Sequence, residues 1–311
     1  MLLLTEAADR GSISAAADAF AITPSAASQQ LARLEAEVGQ PLVERLPRGI
    51  RLTDAGRAMA LRGSRIRGEL RGAQADLDSF ANLDQGTLTM GAFPTASSSV
   101  LPLALTRFAR KHPDVAVTVR SALLVGLLDL LRAGEVELAI LWDYEWNRIE
   151  DESLHVSHLL DDPTVLVVPA NSELLEQPAV DLSELSEQKW ITRAENHPVA
   201  EMLHRSCRLA GFEPAISYES HDYQEAQAMV AAGLGIAIVP RLALTNRRHD
   251  VRLLGFDSRA PAPTRRILLA SPANRTPTPA AEAMADTVRA VASKFVDTNL
   301  HLTQLGTVKA R

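Results

Sequence analysis

The feature that most constrains this chain is a helix with a defined start and a defined end, followed at once by a tight hairpin. Thr23 is a good N-cap, and Pro24 suits the first helical position, where its missing N–H has no partner to lose. Gly39 tolerates the left-handed conformation that ends many helices. The apolar residues between these limits recur every three or four positions: Ala27, Leu31, Leu34 and Val38. One face of the helix is therefore predicted to be buried.

The opposite face of this helix carries short polar side chains near its start, namely Ser25, Ser28 and Gln29, with Arg33 one turn later. In a helix-turn-helix, such a helix lies in the major groove, where hydroxyl and amide groups reach bases and phosphates. The alternative is that any capped, alanine-rich helix has this appearance, so the helix alone does not show that the chain binds DNA.

The hairpin lies in a basic part of an acidic chain. Residues 42–44 and 50–52 flank a turn that contains Gly49. Between Arg45 and Arg71 there are eight arginines and two acids, a net +6 in a chain whose net charge is -6. This asymmetry indicates a segment that meets phosphate. An arginine-rich, solvated helix face explains the charge equally well.

A long helix is predicted to begin at Thr53 and Asp54. Its apolar residues alternate at spacings of four and three, as in the seam of a coiled coil: Ile66, Leu70, Ala73, Leu77 and Phe80. Four glycines (56, 63, 68 and 72) weaken it, each by about 1 kcal/mol relative to alanine. We therefore expect a partner helix to hold it, which gives a homodimer. The alternative is a helix packed on its own domain.

From Gly86 onward, strands and helices alternate. The predicted strands are 87–93, 115–119, 137–141, 164–168, 190–192, 215–218, 233–240 and 266–270, and the predicted helices are 100–111, 124–132, 198–210, 223–232 and 280–295. Repeated β-α-β order predicts parallel sheets with helices on both faces. The polar tail after Thr298 is predicted to be frayed.

The cysteine content and the apolar runs indicate the cellular compartment of the protein. The single cysteine, Cys207, excludes an intrachain disulfide and fits a reducing environment. Residues 1–9 lack the basic region and apolar core of a signal peptide, and no apolar run reaches the roughly 18 residues of a membrane span. We expect a cytoplasmic protein with no membrane partner.

The stretch from Gly11 to Gly56 resembles the DNA-binding domain of LysR-type transcriptional regulators. The resemblance runs in unbroken order through GSISAAA (11–17), TPSAASQQL (23–31), RLEAEVG (33–39), PLVER (41–45) and RLTDAG (51–56). Weaker similarity follows at 108–119, 130–140 and 230–240. Two departures are Met1, several residues after the family's usual start, and Pro47 in the wing. We expect the first to expose part of the small domain's core and the second to stiffen the hairpin.

The resemblance implies a winged helix-turn-helix (1–53), a linker or dimerisation helix (54–83) and a periplasmic-binding-protein-like α/β domain (86–298), followed by a flexible tail (299–311). Two lobes, about 86–161 with 266–298 and about 162–265, are joined by crossing strands and hold an effector between them. The resemblance also implies double-stranded operator DNA as the partner and a homotetramer built as a dimer of dimers. The implied DNA-binding residues are Thr23, Pro24, Ser25, Ser28, Gln29 and Arg33 on the recognition helix, and Arg45, Arg48 and Arg51 in the wing.

Candidate effector-binding residues follow the carboxyl ends of the predicted strands, where ligands bind in open α/β sheets. They are Thr95, Ser97, Ser98, Trp142, Thr192, Arg193 and His221. Hydroxyl and N–H groups at 95–98 suit a carboxylate, so we expect an organic acid or an amino acid. The alternatives are plain N-capping at 95–98 and at Asp222, packing between lobes for Trp142, and a surface position for Arg193.

No pattern of catalytic residues is present. His155 and His158 lack a spacing that commits four ligands to one metal ion, and Cys207 sits at an apolar helical position that predicts a core thiol. There is no phosphate loop or nucleophile elbow. We therefore expect no enzyme, no cofactor and no metal. The alternative is a cytoplasmic solute-binding protein or small-molecule enzyme with an N-terminal dimerisation region, against which the +6 segment argues.

Overall fold

The structure is a computed structural model that describes residues 1–46, 49–81, 86–194, 198–257 and 263–304. None of the helices in these ranges is both long and apolar enough to cross a membrane.

The N-terminal region is three helices and a two-stranded hairpin: α1 (Leu2–Arg10), α2 (Ile13–Ala19), α3 (Pro24–Val38), β1 (Val43–Arg45) and β2 (Ile50–Leu52). The Thr23 hydroxyl accepts a hydrogen bond from the Ala26 N–H at 3.2 Å, and Gly39 ends α3 with φ of 71°. Ala27 and Leu31 are buried, and Leu34 and Val38 pack against the same core. The predicted cap and buried face of α3 are therefore confirmed. At the start of the chain, Leu4 is fully buried although Met1 is 39% exposed.

The long helix α4 (Asp54–Ala81) packs against the rest of its own chain through its glycines. A Cβ on Gly56 would lie 1.9 Å from the Leu42 carbonyl oxygen, and one on Gly63 would lie 2.1 Å from the Thr5 hydroxyl. At Gly68 the corresponding distance is 1.9 Å, to the Ala133 carbonyl oxygen. These glycines let neighbouring backbone and side chains approach the helix axis, a role that their low helix propensity did not predict.

The remaining chain forms a mixed sheet with flanking helices. The strands are β3 (Thr87–Ala92), β4 (Ala116–Ser121), β5 (Leu138–Asp143), β6 (Leu154–Pro169), β7 (Ala179–Val180), β8 (Lys189–Arg193), β9 (Ala215–Ser220), β10 (Ala237–Pro240), β11 (Val251–Phe256) and β12 (Thr264–Pro272). The α-helices are α5 (Pro94–Ser97), α6 (Val100–Lys111), α7 (Leu124–Arg132), α8 (Pro198–Leu209), α9 (Tyr223–Ala231) and α10 (Pro279–Gln304), and 3₁₀ turns span Glu173–Glu176, Leu182–Leu185 and Arg241–Leu244.

The large sheet has the order β4-β3-β5-β12-β6-β11-β7, with β10 also paired to β6. β3 runs parallel to β4 and β5, and β8 runs parallel to β9. The prediction of parallel pairing throughout is wrong at the centre, where β12 is antiparallel to both β5 and β6. The first part of β6 pairs with β12 and its last part with β10 and β11, so this one strand connects the two sides of the domain.

The predicted elements differ from the structure most at β6, β10, β11 and the final helix. β6 begins at Leu154, ten residues before the predicted strand, and β11 was not predicted. Gly233, with φ of 80°, lies in the turn after α9, so β10 starts later than predicted. The final helix extends to Gln304 because residues 296–304 contain few strong helix breakers. The predicted frayed tail is therefore helical as far as 304, and 305–311 lie outside the described residues.

Candidate DNA-binding surface and effector cleft

The polar face of α3 points away from the protein. Ser25 and Gln29 are exposed and Ser28 is half-buried. The Arg33 side chain is 83% exposed, and its Nε lies 3.0 Å from the Glu37 carboxylate. Thr23 and Pro24 are also exposed, although the Thr23 oxygen is engaged as the helix cap. The recognition residues predicted on α3 thus share an accessible face opposite the buried stripe.

The wing is held against α3 by a residue that the sequence analysis did not single out. The Glu35 carboxylate accepts hydrogen bonds from the backbone N–H groups of Leu42 and Val43, at 2.7 and 3.0 Å. The Ile50 N–H donates to the Gly11 carbonyl at 3.1 Å, which fixes the other strand. The available signal was an acid on the inner side of a helix, seven and eight residues before the apolar pair Leu42 and Val43.

Two of the three predicted wing arginines lie in the described residues. Arg45 is exposed. Arg51 is also exposed, and its Nη2 lies 2.5 Å from the Glu44 carboxylate across the hairpin. Arg48, like Pro47, lies outside the described residues. Exposed guanidinium groups beside the α3 face are suited to phosphate.

The serines after β3 differ in their surroundings. Thr95 is buried, and its carbonyl accepts hydrogen bonds from the hydroxyls of Ser98 and Ser99 at 3.1 and 2.7 Å. Ser98 is exposed, whereas the Ser97 hydroxyl is buried without a hydrogen-bond partner. Of the three, Ser97 therefore offers the unsatisfied buried group.

Trp142 lies at the centre of an aromatic and ionic cluster. Its ring meets that of Tyr144 edge-on with centroids 5.5 Å apart, and the Arg265 guanidinium lies 5.7 Å from it. Arg265 is fully buried and pairs with Asp162 at 2.6 Å, while the other Asp162 oxygen accepts from the Leu242 N–H at 2.9 Å. Arg265 also lies 5.0 Å from the ring of Phe93, directly before α5. The buried pair was not predicted, since neither residue follows a recognisable pattern.

Arg193 ends β8 and joins the same cluster through Tyr223. Its guanidinium carbon lies 5.2 Å from the Tyr223 ring, and its Nε and Nη1 are buried without hydrogen-bond partners. The hydroxyls of Tyr144 and Tyr223 are also buried and unpartnered. Burial raises the pKa of both tyrosines, so these hydroxyls remain protonated donors. Arg193 is half-buried rather than on the surface.

Thr192 and His221 have other roles in this conformation. The Thr192 carbonyl accepts a hydrogen bond from the buried Ser220 hydroxyl at 2.9 Å. The His221 side chain is 85% exposed and lies 3.7 Å from Glu225. Asp222 caps α9 through the N–H groups of Gln224 and Glu225, the structural role considered for it above.

The geometry gathers hydrogen-bond donors rather than metal ligands. Unpaired buried donors of Tyr144, Arg193 and Tyr223 lie near one another, and Ser97 carries a further unpaired buried hydroxyl. Within the ranges that the structure describes, no three His, Cys, Asp or Glu side chains converge on one point. Such a donor set suits an anion with several oxygen atoms.

Two family models match the chain. Residues 1–57 match the bacterial regulatory helix-turn-helix protein, lysR family, and residues 81–293 match the LysR substrate binding domain. GltC, the transcriptional dual regulator of Bacillus subtilis, is 29% identical over 280 residues, which cover 89% of this chain and 91% of GltC. A probable nitrogen assimilation transcriptional activator of Synechococcus elongatus is 28% identical, with 85% of each chain covered.

Solved structures have the same fold. Full-length OxyR from Pseudomonas aeruginosa superposes with a TM-score of 0.72 at 20% identity, covering 93% of both chains. CbnR in complex with its target DNA gives a TM-score of 0.66 at 22% identity, covering 93% of this chain and 98% of CbnR. The family models together span both the N-terminal helices and the mixed sheet. This chain therefore belongs to the LysR-type transcriptional regulators, which bind DNA through the first region and an effector through the second, and are not enzymes.

Proposed function

We propose that the exposed face of α3, comprising Thr23, Pro24, Ser25, Ser28, Gln29 and Arg33, enters the major groove of operator DNA while Arg45, Arg48 and Arg51 contact the flanking backbone. The observation that carries this proposal is the two-sided character of α3: its apolar stripe forms the small core, and its short polar side chains remain accessible. The protein acts on DNA in the cytoplasm.

A gel shift with the DNA upstream of the protein's own gene tests this assignment. Wild-type protein is expected to retard that fragment at low salt, and a variant with Ser25, Ser28 and Gln29 all changed to alanine is expected to lose the discrimination against unrelated DNA. Because these side chains do not contribute to the core, the variant should keep its melting temperature. Equal binding of both proteins to both fragments contradicts the proposal.

The proposed effector is a small organic acid or amino acid, bound by Ser97, Trp142 and Arg193 beside the Arg265–Asp162 pair. The unpartnered donors of Ser97, Tyr144, Arg193 and Tyr223 support this assignment, because a buried donor without an acceptor costs about 1–3 kcal/mol until a ligand satisfies it. Thr95, Ser98, Thr192 and His221 are proposed as further contributors to the same site. Domain limits of 1–53, 54–83 and 86–298 are part of this proposal.

A thermal-shift screen of small carboxylates and amino acids identifies the effector. A compound at about 100 times its Kd stabilises the protein by roughly 2.7 kcal/mol, which raises the melting temperature measurably. The Arg193→Ala variant is expected to lose that shift, and Arg208→Ala, which removes an exposed arginine from α8, is the matched control. A shift that survives in Arg193→Ala contradicts the site.

The assembly is proposed to be a homodimer through α4 and a tetramer of two such dimers. Ile66 and Leu70 on the predicted seam are 45% and 57% exposed in the single chain, and Ala73 is exposed. The side chains of Leu77 and Phe80 lie outside the described residues. A row of apolar side chains facing solvent supports pairing with a second copy of this helix.

A further inference from the structure

One arginine in α4 contacts carboxylates from two other parts of the chain. Arg67 Nη1 lies 3.1 Å from Glu6 Oε2, and its Nη2 lies 2.8 Å from Asp9 Oδ2, both on α1. The same Nη2 lies 2.5 Å from Glu135 Oε1, in the turn between α7 and β5. The side chains of Arg67 and Glu135 are each only 14% exposed. A single guanidinium thus connects the DNA-binding region with the effector-binding domain.

The surroundings of Arg67 form a fitted junction rather than a chance surface contact. The Ser64 hydroxyl donates to the same Glu135 oxygen at 2.9 Å. One turn later, Gly68 admits the Ala133 carbonyl against the helix, where any side chain would collide with it. A second ion pair, between Arg275 and Glu69 at 2.7 Å, lies on the neighbouring face of α4.

The charge state of this junction is well defined. Burial by itself lowers the pKa of Arg67, but hydrogen bonds and the charges of Asp9 and Glu135 raise it above its ordinary value, so the guanidinium stays charged. Its planar fork binds several carboxylates at fixed angles, which a lysine ammonium does not do. Shielding from water reduces the salt screening that weakens exposed pairs.

We propose that Arg67 is a positioning residue that fixes the DNA-binding region relative to the effector-binding domain by holding Glu6, Asp9 and Glu135 together. Movement of the 133–135 turn is then passed to α1 through this one side chain. The proposal concerns the relative placement of the two regions and does not depend on which effector binds.

The test measures that placement directly in the full-length protein. Spin labels are attached to cysteines introduced at Gln40 and Lys111, two exposed positions in the two regions. Labelled chains are diluted with unlabelled chains so that each oligomer carries one pair. The native Cys207 is fully buried in α8, so the spin label does not reach its thiol. The distance distribution is read by double electron–electron resonance.

The informative variant is Glu135→Gln, which loosens the link while leaving Arg67 paired with α1. Its distance distribution is expected to be at least twofold wider than that of the wild type, with an unchanged melting temperature. Asp129→Asn is the matched control, because it removes one carboxylate from the exposed pair with Arg132 on nearby α7. Its distribution is expected to coincide with that of the wild type.

Arg67→Ala leaves three carboxylates facing one another and is avoided because it can unfold the junction. Should Glu135→Gln also melt early, Asp9→Asn loosens the same guanidinium from the DNA-binding side, where the carboxylate is half-exposed. It is expected to widen the distribution as well. Wild-type widths in both Glu135→Gln and Asp9→Asn overturn the proposal, as does equal widening in Asp129→Asn.

Discussion

Gln29 is the residue on α3 best suited to read a base, because its amide carries a donor and an acceptor at the spacing of an adenine edge. We predict that Gln29→Ala weakens operator binding by about 1–3 kcal/mol and relaxes the preference at one base pair. Gln40→Ala, at an exposed position after the end of α3, is the control. Titration of labelled operator variants measures both effects. An equal loss on every DNA sequence would assign Gln29 to phosphate contact instead.

Glu137 is a residue whose ionisation opposes folding. Burial raises its pKa, and the hydrogen bonds from the Thr278 hydroxyl and the Thr89 N–H offset this only in part. Because the pKa of Glu137 is higher in the folded state, its protonated side chain increases the free energy of unfolding at acid pH. This contribution is lost as pH rises through the folded-state pKa. We predict that the melting temperature of Glu137→Gln rises relative to that of the wild type as pH increases from 4 to 7. The exposed Glu150→Gln should show no such trend.

At the residue scale, local sequence patterns were sufficient to predict helix caps such as Thr23 but not the buried ion pair of Arg265 and Asp162. Thr23 was predicted from its type and from the proline that follows, since capping depends on adjacent backbone only. The Arg265–Asp162 pair joins residues 103 apart in sequence. No local spacing encodes such a contact, so the centre of the candidate cleft became visible only with the fold.

At the scale of the helix, intrinsic helix propensity and tertiary packing have opposite effects at Gly68. Alanine is favoured over glycine in a helix by about 1 kcal/mol. Here the added Cβ would lie 1.9 Å from the Ala133 carbonyl, and overpacking costs about 1–3 kcal/mol. We predict that Gly68→Ala lowers the melting temperature, whereas Arg65→Ala, at an exposed position of the same helix, does not. A stabilised Gly68→Ala protein would mean that α4 and the 133–135 turn are not in contact in solution.

The outer face of α4 gives a second prediction, for assembly. Leu70→Glu places a charge at a seam position that is exposed in the single chain. We therefore expect the dimer formed through α4 to dissociate to monomers at micromolar concentration. Leu61→Glu makes the same change at a residue of α4 that is 49% exposed and off the seam. Sedimentation velocity distinguishes the two variants. Unchanged sedimentation of Leu70→Glu would place the dimer contact elsewhere.

Strand prediction succeeded for the buried β5 and for the largely exposed β4 and β9, but it missed the first half of β6. β5 is buried along its whole length, and its apolar run identified it. The first half of β6 carries exposed polar side chains, including both His155 and His158, and so resembled a loop. The sequence therefore located most of the strands, whereas their antiparallel pairing at the centre of the sheet could be known only from long-range contacts.

At the scale of the whole molecule, charge is distributed so that DNA binding must depend on salt. The exposed arginines of the +6 segment are those proposed to meet phosphate, while the acidic remainder of the chain contributes repulsion. If about six phosphates are contacted, affinity should fall on the order of a thousandfold between roughly 50 and 200 mM salt. Fluorescence anisotropy at a series of salt concentrations gives the slope. A flat dependence would exclude the arginine contacts proposed for the wing.

The path of β6 determines how this domain can be divided. Since β6 pairs with β12 on one side and with β10 and β11 on the other, the polypeptide passes between the two sides within one continuous strand and returns through β12. The side formed by β3, β4, β5 and the first part of β6 is completed by β12, which follows β11 in sequence, so this side cannot be cut out as one contiguous gene fragment. Chimeras that exchange ligand preference between regulators of this kind should therefore exchange the whole domain, with junctions in or before the segment joining α4 to β3.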